Sequence, residues 1–215
     1  MSRSPLTLAV AATLGCALLS GCRVVSNDNG DKKNVDISTP FGGMKVNTTD
    51  SADTSAIGLT AYPGAALIKD DNGKDGNNAN VDMSFGSFHL GVKAATFQTP
   101  DSTDKVIAFY RKDLAKRYGD VITCHGSKTV GTPVRTSQGL SCEDNGTHIT
   151  TDDHGHKGLS ITAGDQNSGS LELRAGSEQH QHIVGVDPSD GGTKIGLVAL
   201  DLPSHISNHD SKDSE

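Results

Sequence analysis

The residues of this 215-residue chain best suited to chemistry are its histidines, nine in all: His89, His125, His148, His154, His156, His180, His182, His205 and His209. Two pairs stand out, His154-Gly155-His156 and His180-Gln181-His182. Alternate residues of a strand share a face, so either pair can turn both imidazoles towards one Zn²⁺ or Cu²⁺. Asp152 and Asp153 offer oxygen ligands beside the first pair. Against this, His154 and His156 lie in a Gly-rich, loop-like stretch, and no Cys or Glu completes a usual zinc spacing. Solvated surface histidines are the competing reading, and no resident cofactor is expected beyond this metal alternative.

Other constellations are weaker. Asp70-Asp71-Asn72-Gly73-Lys74-Asp75-Gly76 has the look of a calcium loop, but an EF-hand needs Gly at its sixth position and Glu at its twelfth. Counted from Asp70, those positions hold Asp75 and Val81. Gly86-Ser87 and Gly126-Ser127 lack the second Gly of a Gly-x-Ser-x-Gly elbow in register. Cys124 and His125 are adjacent, and adjacent strand residues point to opposite faces, so they cannot form a nucleophile–base pair. No Gly-x-x-x-x-Gly-Lys phosphate loop is present. No catalytic residue is expected, and the chain reads as a non-enzyme.

The N-terminus carries an address. Arg3 supplies a positive start, Leu6 to Leu19 is almost wholly apolar and small, and Leu19-Ser20-Gly21-Cys22 follows. That order describes an export signal, and the apolar stretch is short for a transmembrane helix, which needs about 20 apolar residues. Leu19-Ser20-Gly21-Cys22 resembles the bacterial lipobox, in which the Cys is acylated and the chain is cut just before it. The resemblance implies a signal over residues 1–21, lipidation of Cys22, and a lipid bilayer as partner through the acyl anchor. Several acyl chains anchor stably, each buried CH₂ contributing about 0.8 kcal/mol. Arg23 follows; the sorting rule that retains lipoproteins in the inner membrane wants Asp there. Its absence points to the outer membrane, facing the periplasm.

Composition limits the partners and the core. With 19 Lys+Arg against 26 Asp+Glu the net charge is −7, which argues against nucleic acid or anionic lipid as the main partner, since both demand basic patches. Apolar residues make up 33%, aromatics 4%, Trp is absent and Gly numbers 25, so one modest core is expected. Of four cysteines, Cys16 leaves with the signal and Cys22 takes the lipid. Cys124 and Cys142 remain, in an oxidising compartment where a pair is normally a disulfide. A reactive or metal-binding thiol pair is the alternative.

Residues 22–56 read as the lipidated Cys and a flexible tether with short strands: polar Ser26 to Lys33, strand-like Val35-Asp36-Ile37 and Met44-Lys45-Val46, then a linker from Asn47 to Ser55. The main domain is expected over 57–203. Asp70 to Asn80 reads as an exposed loop, and Val81 to Thr96 as a hairpin or bent strand. The spacing of Val106, Ile107, Phe109, Tyr110 and Leu114 predicts one amphipathic helix over about 101–118, with cap candidates before it and Gly119 after it. Strand-like segments follow at 121–124, 139–142, 148–151, 159–162, 171–173, 182–186 and 194–202, and the turn residues of 187–192 predict a hairpin. Residues 204–215 read as a disordered tail. The expected fold class is α+β, a mainly antiparallel sheet packed by one helix.

Four segments carry a wider likeness: Thr39-Pro40-Phe41-Gly42-Gly43, Tyr62-Pro63-Gly64-Ala65, Phe109-Tyr110-Arg111-Lys112-Asp113-Leu114 and Gly191-Gly192-Thr193-Lys194. Together they resemble a set found in uncharacterised bacterial envelope lipoproteins. They are turn and core residues, so the resemblance implies a fold and an envelope address, and no activity. The expected role is a binding or structural module that engages an envelope protein or another envelope component. A metal-binding periplasmic lipoprotein using the His-x-His pairs is the alternative.

Overall fold

The computed structural model describes residues 22–29, 32–48, 54–68, 78–143 and 170–203. The expected signal, the Asp70–Gly76 loop, the strands expected at 148–151 and 159–162, His154, His156 and the tail lie outside the described residues. The elements are β1 (Arg23–Asn29), β2 (Lys32–Thr39), β3 (Gly42–Thr48), α1 (Thr54–Ile57), β4 (Ala66–Leu67), β5 (Ala79–Phe85), β6 (Phe88–Thr99), α2 (Thr103–Tyr118), β7 (Val121–His125), β8 (Lys128–Thr129), β9 (Leu171–Gly176), β10 (His180–Ser189) and β11 (Gly192–Asp201). All strands belong to one antiparallel sheet in the order β1-β2-β3-β5-β6-β11-β10-β9-β7-β8, with β4 also paired to β6. The α+β class read from the sequence holds, with a four-residue helix, α1, added to the expected one.

The chain order explains the layering. After β6 the chain enters α2 and re-emerges as β7 near the other edge, while β11, β10 and β9 fill the space between. α2 therefore spans strands made later in the sequence. Its stripe of Val106, Tyr110 and Leu114, each four residues from the next, is fully buried. It packs on Phe97, Leu173, Val184, Ile195 and Leu197, with Tyr62 completing an aromatic contact to Phe109 at 5.1 Å. Ser102, in extended conformation, starts α2, and Gly119 at φ 85° ends it by donating its N–H to the Ala115 carbonyl.

Alternation places a second apolar set on the opposite sheet face: Val81, Leu90, Val92, Ile183, Val198 and Leu200. A third cluster joins Ile122 and Leu140 to a disulfide between Cys124 and Cys142, whose Cα atoms are 5.6 Å apart. In the β2–β3 hairpin the strands run so close to β5 that a Cβ on Gly42 would lie 2.0 Å from the Ser84 carbonyl oxygen. Gly192 sits equally close to the Thr99 carbonyl. The Gly42 and Gly192 positions of the Thr-Pro-Phe-Gly-Gly and Gly-Gly-Thr-Lys segments are thus required by strand contact.

Three expectations are corrected. Residues 26–29 and 32–33, read as tether, and Asn47 and Thr48, read as linker, belong to β1, β2 and β3, because cross-strand pairing outweighs their low strand propensity. Ala79 and Asn80, read as loop, begin β5. Residues 139–142, read as a strand, make only isolated bridges, Arg135 to Ser141 and Gly139 to Ser177; Gly139 at φ 98° interrupts the extended backbone.

Candidate functional site

The α2 side of the sheet changes character beyond the helix. The register aligns His182, Ala199, Lys93, Asn80, Asn47, Asn34 and Asn27 in one row across seven strands. Ala199 belongs to the core under α2, so alternation assigns the whole row to that face. The next row runs His180, Asp201, Gly91, Asp82, Lys45, Asp36 and Val25. The first is a ladder of amides ending in a lysine; the second sets Asp201 and Asp82 on either side of Gly91 and Lys45 between Asp82 and Asp36.

Two concavities lie on this face. One, of about 250 Å³, is lined by Asn34, Asn47, Asn80 and Lys93 together with Ala56 and Ile57 of α1. The other, of about 450 Å³, shares Asn34 and Asn47 and adds Arg23, Asp36, Ser38 and Lys45. Side-chain amides carry two donors and two acceptor lone pairs each, so a row of them offers hydrogen bonds of both senses at about 4.8 Å intervals. Such a surface suits a polar, extended ligand.

Histidine geometry does not follow the metal expectation for the described pair. His180 Nδ1 lies 2.8 Å from Asp201 Oδ1, both groups exposed. His182 stacks flat on Tyr118 with centroids 3.7 Å apart, and the Tyr118 hydroxyl donates to the Gly58 carbonyl at 2.7 Å. The His182 Nδ1 is buried without a partner. Burial pushes the His182 pKa below its usual value, so the ring is neutral at neutral pH. Among the described residues no group of three His, Cys, Asp or Glu side chains converges as a metal site. His154 and His156 lie outside the described residues.

An imidazole–carboxylate pair supplies two of the three members of a hydrolytic triad, which also needs a hydroxyl or thiol on the other ring nitrogen. Ser177 Oγ is near, but it accepts from the His180 backbone N–H at 3.1 Å. On the opposite face Arg174 Nε donates to Glu172 Oε2 at 2.8 Å, both side chains buried, with Ile122 and Cys124 as their cross-strand neighbours. Burial raises the Glu172 pKa while the Arg174 guanidinium opposes that rise. This pair sits inside the fold, away from the polar face.

Sequence reading singled out His180 and His182 but missed their partners. Asp201 and Tyr118 are remote in the chain, and only the β10–β11 register and the end of α2 bring them in. The asparagine row has no local signal either, since Asn34, Asn47 and Asn80 become neighbours only through strand pairing. No family model matches the chain, and no curated protein or solved structure is significantly similar to it. The likeness to envelope lipoproteins therefore rests on the quoted motifs.

Proposed function

We propose that this chain is a bacterial lipoprotein, anchored by acyl groups on Cys22 to the periplasmic side of the outer membrane, whose domain is a non-enzymatic binding module. The observation that carries the reading is the export-signal pattern ending in Leu19-Ser20-Gly21-Cys22. β1 begins at the next residue, Arg23. The domain is thus held at the bilayer with no spacer, which suits a module that works at the membrane surface. Its ligand surface is the amide and charge rows around Asn47 and Lys45. The partner is an envelope component rich in hydrogen-bonding groups, a protein being the first candidate.

Two experiments test this. Expressed in a Gram-negative host, the intact chain partitions to the outer membrane, and Cys22→Ser releases it from that fraction. An intact chain that stays soluble rejects the anchor. A photo-crosslinking residue at Asn47 gives envelope adducts, and one at Asp190 in the β10–β11 turn gives few. Equal yields at the two positions reject the polar face as the ligand surface.

A further inference from the structure

Cys22 sits at one end of the sheet, and the described apolar side chains that remain in water gather at that same end. Arg23 pairs with Ser38, so Cys22 lies beside the β2–β3 turn at Pro40-Phe41. Gly42 pairs with Phe85, and Phe85 with Phe88 across the β5–β6 turn, so that turn lies at the same end. Of six exposed large apolar side chains among the described residues, four are here: Phe41 at 84%, Val24 at 65%, Phe85 at 44% and Phe88 at 36% exposure. From β1 to β6 is four strand spacings, so the group spans roughly 20 Å. Phe85 and Phe88 share the apolar sheet face with half-buried Met83 and buried Leu90, so the exposed rim adjoins the core of that face.

Charge agrees with apolar exposure. Residues 22–25, 37–44 and 83–90 contain Arg23 and His89 but no Asp or Glu, in a chain with 26 acidic residues. A rim with protruding phenylalanines, whose nearest flanking carboxylates are Asp36 on Ser38 and Asp82 on His89, one residue back from the edge segments, is costly in water and favourable in the bilayer interface, where aromatic side chains gather. We propose that this rim is a membrane-docking edge: Phe41, Phe85 and Phe88 enter the outer-membrane leaflet beside the acyl chains of Cys22. The sheet then stands on its hairpin tips, with the polar face turned along the membrane and open to the periplasm. The docking rests on the lipoprotein reading for its anchor. The acyl anchor on Cys22 makes insertion intramolecular, at an effective concentration in the millimolar range, so a few side chains suffice.

The chain lacks Trp, so Phe41→Trp installs a single reporter at the rim. The chain from Cys22 to Glu215 holds every described element, and Cys22 is its unpaired thiol, Cys124 and Cys142 being bonded to each other. It is coupled through Cys22 to phosphatidylcholine vesicles carrying maleimide-headgroup lipid, with or without bromine on the acyl chains. Docking predicts that the indole of the Phe41→Trp variant emits at shorter wavelength and is quenched by brominated chains. A control variant, Asp190→Trp, places its reporter at the far end of β6, roughly 35 Å away, and stays unquenched. Adding Phe85→Ser and Phe88→Ser to the Phe41→Trp variant reduces the quenching. Rim-reporter emission identical to that of the uncoupled protein, or equal quenching of both reporters, overturns the docking edge. Coupling is chemical, so these outcomes are independent of whether cells acylate Cys22. A failed anchor appears separately, as an unmodified Cys22 in the protein recovered from cells.

Discussion

Removing the Cys124–Cys142 disulfide should cost this domain a large part of its stability. The bridge closes a loop of 18 positions. In the chain-entropy model that cross-link removes about 11 cal/mol/K from the unfolded chain, or about 3 kcal/mol at 25 °C. Both cysteines are fully buried against Ile122 and Leu140, so Cys124→Ala/Cys142→Ala also leaves a small cavity. The total loss is then about 3–5 kcal/mol, against about 5–15 kcal/mol for a typical domain. The assay is urea unfolding followed by far-UV circular dichroism, since no Trp is available for fluorescence. Reduced wild type and the double variant should unfold at similar urea concentrations, both well below the oxidised protein. A loss under about 1 kcal/mol would mean that the loop is already constrained in the unfolded state, and would refute the entropic reasoning. Free Cys124 and Cys142 thiols in protein purified from the periplasm would contradict the oxidising address.

Other consequences are sharper in sign than in size. His182 has a depressed folded pKa, so the unfolded chain takes up its proton first as pH falls. Its contribution to stability is present above about pH 6.5 and is lost as pH drops through the folded value. His182→Gln flattens that part of a melting-temperature profile between about pH 7 and 5, and an unchanged slope would rule His182 out as its source. Leu114→Ala, in the stripe of α2, costs about 2–5 kcal/mol in the same urea assay, whereas Ala108→Ser on the exposed side stays within about 0.5 kcal/mol. Replacing His180 and His182 together leaves Zn²⁺ and Cu²⁺ affinity by calorimetry unchanged, because one ring pairs with Asp201 and the other stacks on Tyr118. A tenfold loss of affinity would restore the metal reading for this pair.

Much of the fold could be read locally. The stripe of α2 follows from Val106, Tyr110 and Leu114, and the hairpin of β10 and β11 from Asp190-Gly191-Gly192 between two apolar runs. What escaped was set by pairing at a distance. Ser26, Asn27 and Asn34 have no preference for strand, yet lie in strands because β1 and β2 pair with each other and β3 extends the ladder beyond β2. The candidate surface was illegible for the same reason. Asn34, Asn47, Asn80 and Lys93 are spread along the chain, and only three successive registers make them a row. The gathering of Phe41, Phe85 and Phe88 beside Cys22 follows only from the strand order.

The anchor is the claim on which the account depends, and the intact mass of the protein extracted from bacterial membranes tests it most directly. Acylation of Cys22 predicts a chain beginning at Cys22 and heavier than its sequence by two or three acyl chains with their glyceryl linker. A chain that begins at another residue, or one that carries Cys22 as a free thiol, would contradict it.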